Sequence, residues 1–133
     1  MSNLFETGAF VSHSGLDLDW KINCDALSDE DIKCLAAVIA KRIGRFGFVY
    51  GIPSGGTRLA IALRAYADNK TMVGVIVDDV LTTGKSMLDA MKTKYRSKAM
   101  KVVCFVIFAR GELPENVQAL FICTNGVPED MLR

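Results

Sequence analysis

Two adjacent aspartates followed by a loop of small, hydroxylated residues form the stretch best suited to chemistry. The aspartates are Asp78 and Asp79, and the loop runs from Thr82 to Ser86. Neighbouring carboxylates suit sugar hydroxyl groups or a hydrated divalent cation. The loop precedes a helix-like segment, where unpaired N–H groups and the positive end of the helix dipole favour a phosphate. A sugar that carries both hydroxyl groups and a phosphate satisfies both halves of the stretch.

A second loop, rich in glycine, lies at 51–57 with the sequence Gly-Ile-Pro-Ser-Gly-Gly-Thr. It follows an apolar segment and precedes a helix-like one, so several N–H groups are exposed at one point. This makes it a second candidate anion site, with an ordinary tight turn as the alternative. Together the two loops provide for both phosphate ends of one ligand.

Strand-like and helix-like segments alternate along the chain and must position these loops. Ser28 caps the clearest helix, which carries three acidic residues in its first turn and ends at Gly44. The other expected helices cover 59–66 and 85–95, and the expected strands cover 16–22, 46–50, 72–77, 102–108 and 120–124. Such alternation predicts a mostly parallel sheet with right-handed crossovers, in which ligands bind at the carboxyl ends of the strands. Both loops, and Arg110, lie at such ends.

The composition limits the class of protein. The chain has 133 residues, half of them hydrophobic, and a net charge of +1, which favours one folded domain over disorder or general nucleic-acid binding. No signal peptide and no apolar run of membrane-spanning length is present. Four scattered cysteines suggest reduced thiols, so we expect a cytoplasmic protein. The near-neutral charge and the lack of a long apolar run lead us to expect no nucleic-acid or membrane partner.

The segment from Val75 to Ser86 resembles the phosphoribosyl pyrophosphate (PRPP) signature of type I phosphoribosyltransferases. The loop at 51–57 resembles the pyrophosphate loop of that family, and residues 8–22 resemble the N-terminal hood of orotate phosphoribosyltransferases. The resemblance implies an α/β fold, with a mostly parallel sheet flanked by helices and a small hood. We expect a single domain over 1–133, with the hood at 1–25 and the core at 26–133. Residues 84–86 also resemble the end of a Walker A loop, but Asp79 stands where that motif needs glycine.

The resemblance implies transfer of 5-phosphoribose from PRPP to a nitrogenous base, with orotate or a related pyrimidine favoured and pyrophosphate released. Asp78 and Asp79 are the implied catalytic residues and hold Mg²⁺, the expected cofactor, through water or through PRPP. The implied PRPP-binding residues are Asp78, Asp79, Thr82, Thr83, Gly84, Lys85 and Ser86. The implied pyrophosphate-binding residues are Pro53, Ser54, Gly55, Gly56 and Thr57, and the implied base-binding residues are His13, Lys21 and Arg110.

The chain departs from the orotate enzymes at three places. Only residues 59–75 fill the interval in which those enzymes carry a long mobile loop that covers the site. His13 replaces the lysine of their hood, and Ala109 replaces the aspartate that usually precedes the arginine at position 110. Lys21 is a candidate replacement for the missing cation. The short interval favours an alternative function, a PRPP- or nucleotide-binding regulator without catalysis. A homodimer is expected because members of the family pair.

Overall fold

A computed structural model describes residues 3–11, 17–94 and 101–123 of the chain. The strands in this part of the chain are β1 (Phe5–Val11), β2 (Asp17–Ile22), β3 (Phe48–Gly51), β4 (Val73–Leu81), β5 (Lys101–Arg110) and β6 (Val117–Cys123). The α-helices are α1 (Asp29–Ile43), α2 (Thr57–Leu63) and α3 (Lys85–Lys94), and short 3-10 helices cover Cys24–Ala26 and Arg64–Tyr66. Among these helices, none is both long and apolar enough to cross a membrane.

The main sheet has four strands in the order β3-β4-β5-β6, and each neighbouring pair is parallel. This confirms the predicted α/β class with a mostly parallel sheet. Because the strands are parallel, the loops that follow β3, β4 and β5 lie at the same edge of the sheet.

Helices cover both faces of this sheet. Side chains of α1 and α2 pack with Val75 and Phe105 in one apolar cluster, whereas α3 packs with Ile76 and Val106 in another. The alternation follows from strand geometry, in which successive side chains point to opposite faces. Burial on both faces explains why the sequences of β4 and β5 are apolar over several consecutive residues.

Helix α1 begins and ends as the sequence predicts. The Ser28 hydroxyl accepts the N–H of Asp31 at 3.1 Å, and the Asp31 carboxylate accepts the N–H of Ser28 at 2.9 Å. This capping box satisfies two N–H groups of the first turn. At the other end, the N–H of Gly44 donates to the carbonyl of Ala40 at 3.1 Å. The apolar stripe of the helix is buried against α2 and the sheet.

The hood is an antiparallel ribbon of β1 and β2, with a shift in register between Thr7 and Phe10. Its aromatic rings contact the end of the main sheet: the Phe5 ring lies 6.3 Å from the rings of Trp20 and Phe108, measured between centroids. The sequence predicted β2 but not β1, which lacks a regular alternation of apolar and polar residues.

Two strand boundaries differ from the predictions in a way that matters for the site. Strand β4 continues past Val77 to Leu81, because pairing with β5 extends to Leu81 opposite Ala109. The acidic pair therefore lies inside the strand and not after it. Strand β5 likewise continues to Arg110, which is its last residue. The expected end of α3 at Tyr95, the expected strand residue Thr124 and the turn at 125–126 fall outside the described residues.

Candidate active site at the carboxyl ends of the strands

A cavity of about 640 Å³ opens between the hood and the carboxyl ends of the central strands. Most of the predicted site residues line it: Lys21, Pro53, Ser54, Gly55, Asp78, Asp79, Thr82, Thr83, Gly84, Lys85, Ser86 and Arg110. Elements far apart in sequence thus contribute to one space, as expected for the strand ends of a parallel sheet. A smaller cavity of about 350 Å³ runs along β3 and contains none of the predicted site residues.

Two predicted site residues do not line this cavity in the part of the chain that the structure describes. Gly56 is buried, because its backbone packs against the carbonyl of Val77 in the middle of β4. Thr57 is exposed and begins α2. His13 lies outside the described residues, so its predicted contact with a base stays a prediction.

The environment of the acidic pair favours the protonated form of Asp78. The Asp78 carboxylate accepts the N–H of Asp79 at 2.8 Å, and the Asp79 carboxylate accepts the N–H of Val80 at 2.7 Å. Burial raises the pKa of Asp78 to about 8, helped by a hydrogen bond with the Asp79 side chain and by its negative charge. Near neutral pH, Asp78 therefore holds a proton, which an incoming cation or hydrogen-bond donor can replace.

Asp79 also contacts the glycine-rich loop. Its carboxylate packs against the backbone of Gly55, where a Cβ atom would overlap the carboxylate oxygens. Only glycine leaves room for this contact. The peptide bond between Pro53 and Ser54 in the same loop is cis. The acidic pair and the glycine-rich loop therefore form one continuous surface of the cavity.

The loop after β4 lines the cavity and leads into α3, and within it the Lys85 N–H donates to the Thr83 hydroxyl at 3.4 Å. Gly84 has a positive φ of 81°, which turns the chain into α3. The N–H of Leu88 donates to the carbonyl of Gly84 at 2.9 Å, so the N–H groups of the residues before Leu88 have no acceptor within the helix. This arrangement suits a phosphate at the positive end of the helix.

Two cations line the cavity from the hood side. The Arg110 guanidinium lies 3.6 Å from the centroid of the Trp20 ring and donates to the Trp20 carbonyl at 2.6 Å. Arg110 is only 6% exposed. The Lys21 ammonium lies 3.5 Å from the Glu6 carboxylate and 4.7 Å from the centroid of the Phe10 ring. Both cations are thus held in place by groups of the hood.

The sequence reasoning missed several residues that line the cavity, above all Asn23, Cys24 and Asp25 after β2, and Asp89 on α3. Burial, followed by the charges of Asp79 and Asp78, raises the pKa of the Cys24 thiol to about 12, so this thiol is uncharged. Asp89 follows Lys85 by four residues on one helix face, a spacing that could have identified it. No sequence pattern marks the other three.

The carboxylates of the site suit Mg²⁺ only when a ligand supplies further oxygens. Among the residues that the structure describes, no group of three or more His, Cys, Asp and Glu side chains is arranged to hold a metal ion. Asp78 and Asp79 each use one carboxylate oxygen to accept an N–H, and the two side chains also share a hydrogen bond, so a cation bound here would replace the proton of Asp78. Mg²⁺ is commonly bound by one or two carboxylates together with substrate phosphates. The donor set therefore fits Mg²⁺ that arrives with a phosphorylated ligand.

Known structures with a similar fold are phosphoribosyltransferases. The orotate phosphoribosyltransferase of Aeropyrum pernix superposes with a TM-score of 0.70 at 20% identity, covering 90% of this chain and 88% of that one. The orotate phosphoribosyltransferase of Mycobacterium tuberculosis, in complex with Fe(III) dicitrate, gives 0.66 at 15% identity over 89% of each chain. A phosphoribosyltransferase from Corynebacterium diphtheriae gives 0.63 at 14% identity, covering 86% of this chain and 88% of that one.

Comparison by sequence gives less. No protein-family model matches the chain, and no curated protein matches it. The similarity is therefore one of three-dimensional structure, and it agrees with the motifs at the two loops. Over about nine-tenths of its length, this chain has the fold of the type I phosphoribosyltransferases, with orotate phosphoribosyltransferases among its structural neighbours.

Proposed function

We propose that the protein is a phosphoribosyltransferase, which moves 5-phosphoribose from PRPP to a nitrogenous base and releases pyrophosphate. Orotate or a related pyrimidine is the favoured acceptor. This proposal rests on one observation: the acidic pair, the loop from Thr82 to Ser86 and the glycine-rich loop line the same cavity. Each has the chemistry to bind a different part of PRPP.

In this proposal the loop from Thr82 to Ser86 binds the 5-phosphate, and Asp78 and Asp79 bind the ribose hydroxyl groups. In the glycine-rich loop, Ser54 and Gly55 line the cavity and bind pyrophosphate through their backbone N–H groups. The N–H groups of Gly56 and Thr57 already donate to the carbonyls of Ile52 and Ser54. Carboxylates beside the ribose also stabilise the positive charge that develops on the sugar as the bond to pyrophosphate breaks. Bound Mg²⁺, held by Asp78, Asp79 and PRPP oxygens, would neutralise charge on the leaving group.

The base is proposed to bind on the hood side of the cavity. Lys21 and Arg110 line that side and offer donors to a carboxylate or carbonyl oxygen. His13 is proposed to contribute from the hood as well. Loss of orotate absorbance in the presence of Mg²⁺ and PRPP tests the acceptor directly, and a panel of other bases tests the alternatives through pyrophosphate release.

Replacement of Asp79 by asparagine is the sharpest test of the mechanism. Asparagine keeps the size of the side chain and an oxygen to accept the Val80 N–H, so the fold should change little. Turnover should fall by two or more orders of magnitude, on the order of what loss of one transition-state contact costs. Asp68→Asn is a matched control, because Asp68 pairs with Arg45 away from the cavity. Retained turnover in Asp79→Asn would remove Asp79 from the mechanism.

A second candidate function is a PRPP- or nucleotide-binding regulator without catalysis. It is favoured by the interval between α2 and β4, which contains a short 3-10 helix and a turn where a long covering loop would lie. Calorimetry with Mg²⁺-loaded PRPP, followed by an assay for pyrophosphate release, separates the two functions: a regulator binds PRPP but releases no pyrophosphate with any base.

We further propose that the protein works as a cytoplasmic homodimer. Light scattering coupled to size exclusion measures the mass of the particle in solution, and a mass near that of one 14.5 kDa chain would contradict the dimer.

A further inference from the structure

Five consecutive residues, Lys21 to Asp25, form one side of the cavity, and all five line it. We call this stretch the hood wall. It consists of the end of β2 and the beginning of the 3-10 helix that joins the hood to α1. Short connecting segments of this kind are usually among the least stable parts of a domain, unless specific contacts hold them.

Arg58 holds one end of the hood wall. Its Nη2 donates to the carbonyl of Cys24 at 2.9 Å, and its Nη1 donates to the carbonyl of Leu27 at 3.0 Å. Nη1 also lies 3.3 Å from the carboxylate of Asp29. A planar guanidinium with several fixed donors can bridge two carbonyl groups at once. Two charge-assisted bonds to backbone therefore fix the turn that follows the wall.

The other end of the hood wall is held by the core as well. Trp20, the residue just before the wall, receives a hydrogen bond from Arg110 and lies against its guanidinium. Arg110, at the end of β5, thus holds Trp20 just before the wall, and Arg58, at the start of α2, holds the wall at Cys24. A segment tied at both ends has little freedom between them.

Arg58 also connects the wall to the glycine-rich loop. It is the second residue of α2, whose first residue, Thr57, ends the proposed pyrophosphate loop. The Cys24 thiol lies within the electrostatic influence of Asp79, Asp78 and Arg58. Cys24 accepts a hydrogen bond from Arg58 and lines the same cavity as Asp78 and Asp79, so the turn lies beside the place where the ligand is proposed to bind.

We propose that Arg58 is a positioning residue, which fixes the hood wall against the ligand cavity and ties it to the pyrophosphate loop. The proposal rests on the proposed function for the identity of the ligand. With the wall already in place, a ligand binds without ordering this segment, which favours affinity. A fixed wall also provides some of the water exclusion that a long mobile loop would give. Arg58 contacts two backbone carbonyls and the Asp29 carboxylate but does not line the cavity, so its effect is on placement.

The test compares Arg58→Met and Arg58→Lys with Arg45→Met. Arg45 is a matched control, because it pairs with Asp68 and does not line the cavity. In the free protein, amide hydrogen exchange at residues 21–27 should rise at least about tenfold in Arg58→Met, with β3 to β6 unchanged. Lysine can reach one carbonyl but cannot bridge two, so Arg58→Lys should give a smaller rise. Arg45→Met should match the parent protein.

Kinetics give a second readout. In Arg58→Met the value of kcat/KM should fall about 10- to 100-fold, since small displacements of a binding wall are costly, and Arg58→Lys should recover part of the loss. Asp29→Asn should change neither exchange nor kinetics, because the Asp29 side chain is 84% exposed and the two carbonyl bonds remain.

Two results would overturn the role of Arg58. One is exchange at 21–27 that is the same in Arg58→Met and Arg45→Met. The other is a rise spread evenly over the whole core, which would mark a merely structural side chain. Normal kcat/KM despite a local rise in exchange would refute the coupling to the ligand site. If the parent protein neither binds nor turns over PRPP, the proposed function fails, whereas the exchange experiment still decides whether Arg58 fixes the wall.

Discussion

Replacing Asp78 by asparagine should make the protein more stable, and the gain should grow as the pH rises. Burial and the neighbouring Asp79 raise the pKa of Asp78 from 3.8 to about 8 in the folded protein. Between these values the folded state keeps a proton that the unfolded state has lost. Stability of the parent protein therefore falls with rising pH in this window, by at most about 1.4 kcal/mol per pH unit. Asparagine does not titrate and lacks this slope.

The size of the effect follows from the pH range between the unfolded and folded pKa values of Asp78. From about pH 5 to about pH 7 the slope allows up to about 3 kcal/mol, and the remaining contact of the side chain with solvent reduces this to roughly 1–3 kcal/mol. Asparagine also keeps an oxygen that can accept the Asp79 N–H, so little is lost in packing. Urea unfolding of both proteins across this range measures the difference in free energy of unfolding.

The control for this experiment is Asp68→Asn. A hydrogen bond from Arg45 lowers the pKa of Asp68, so its contribution is present above the ordinary value of 3.8 and is lost only as the pH falls through that region. Its difference from the parent protein should stay constant from about pH 5 to pH 8. A difference between Asp78→Asn and the parent that is flat in pH, or that shrinks as pH rises, would refute the reasoning. PRPP binding should weaken in Asp78→Asn even though the variant is more stable, because a carboxylate that is needed for binding can destabilise the folded protein.

Two further changes test the packing of the site and of its scaffold. Gly55→Ala should lower PRPP affinity at least about tenfold in calorimetry, since the added methyl group overlaps the Asp79 carboxylate, so the Asp79 side chain or the glycine-rich loop must move. Unchanged affinity would show that the contact is not needed. Ser28→Ala should lower the free energy of unfolding by about 1 kcal/mol, because the Asp31 N–H loses its acceptor. PRPP affinity should stay the same in this variant, and a parallel loss would contradict the assignment of α1 to the scaffold.

Features that depend on neighbouring residues could be predicted from the sequence. The cap at Ser28 and the stop at Gly44 are local, so residue type alone indicated both ends of α1. The parallel sheet followed from the alternation of apolar strands with helices. Placement of Asp78 and Asp79 beside the loop from Thr82 to Ser86 needed only their order along the chain. Their proximity to the glycine-rich loop then followed from the rule that the carboxyl ends of parallel strands lie at the same edge of the sheet.

Features that depend on contacts between distant residues could not be predicted. Arg58 binds a carbonyl 34 residues earlier, and Arg110 binds one 90 residues earlier. Backbone carbonyls are common to all residues, so no sequence pattern marks these partners. The extension of β4 to Leu81 likewise depends on pairing with β5, which overrides the local tendency of Asp78 and Asp79 to end a strand.

The aromatic contacts of the hood have a consequence for biosynthesis. Phe5 and Trp20 belong to β1 and β2, whereas Phe108, which the Phe5 ring contacts, and Phe121, whose ring is stacked 5.4 Å from that of Phe108, belong to β5 and β6. A lone two-stranded ribbon is marginal in water. The ribbon therefore has to wait until β5 and β6 have left the ribosome before it can dock, and the ligand cavity closes only then.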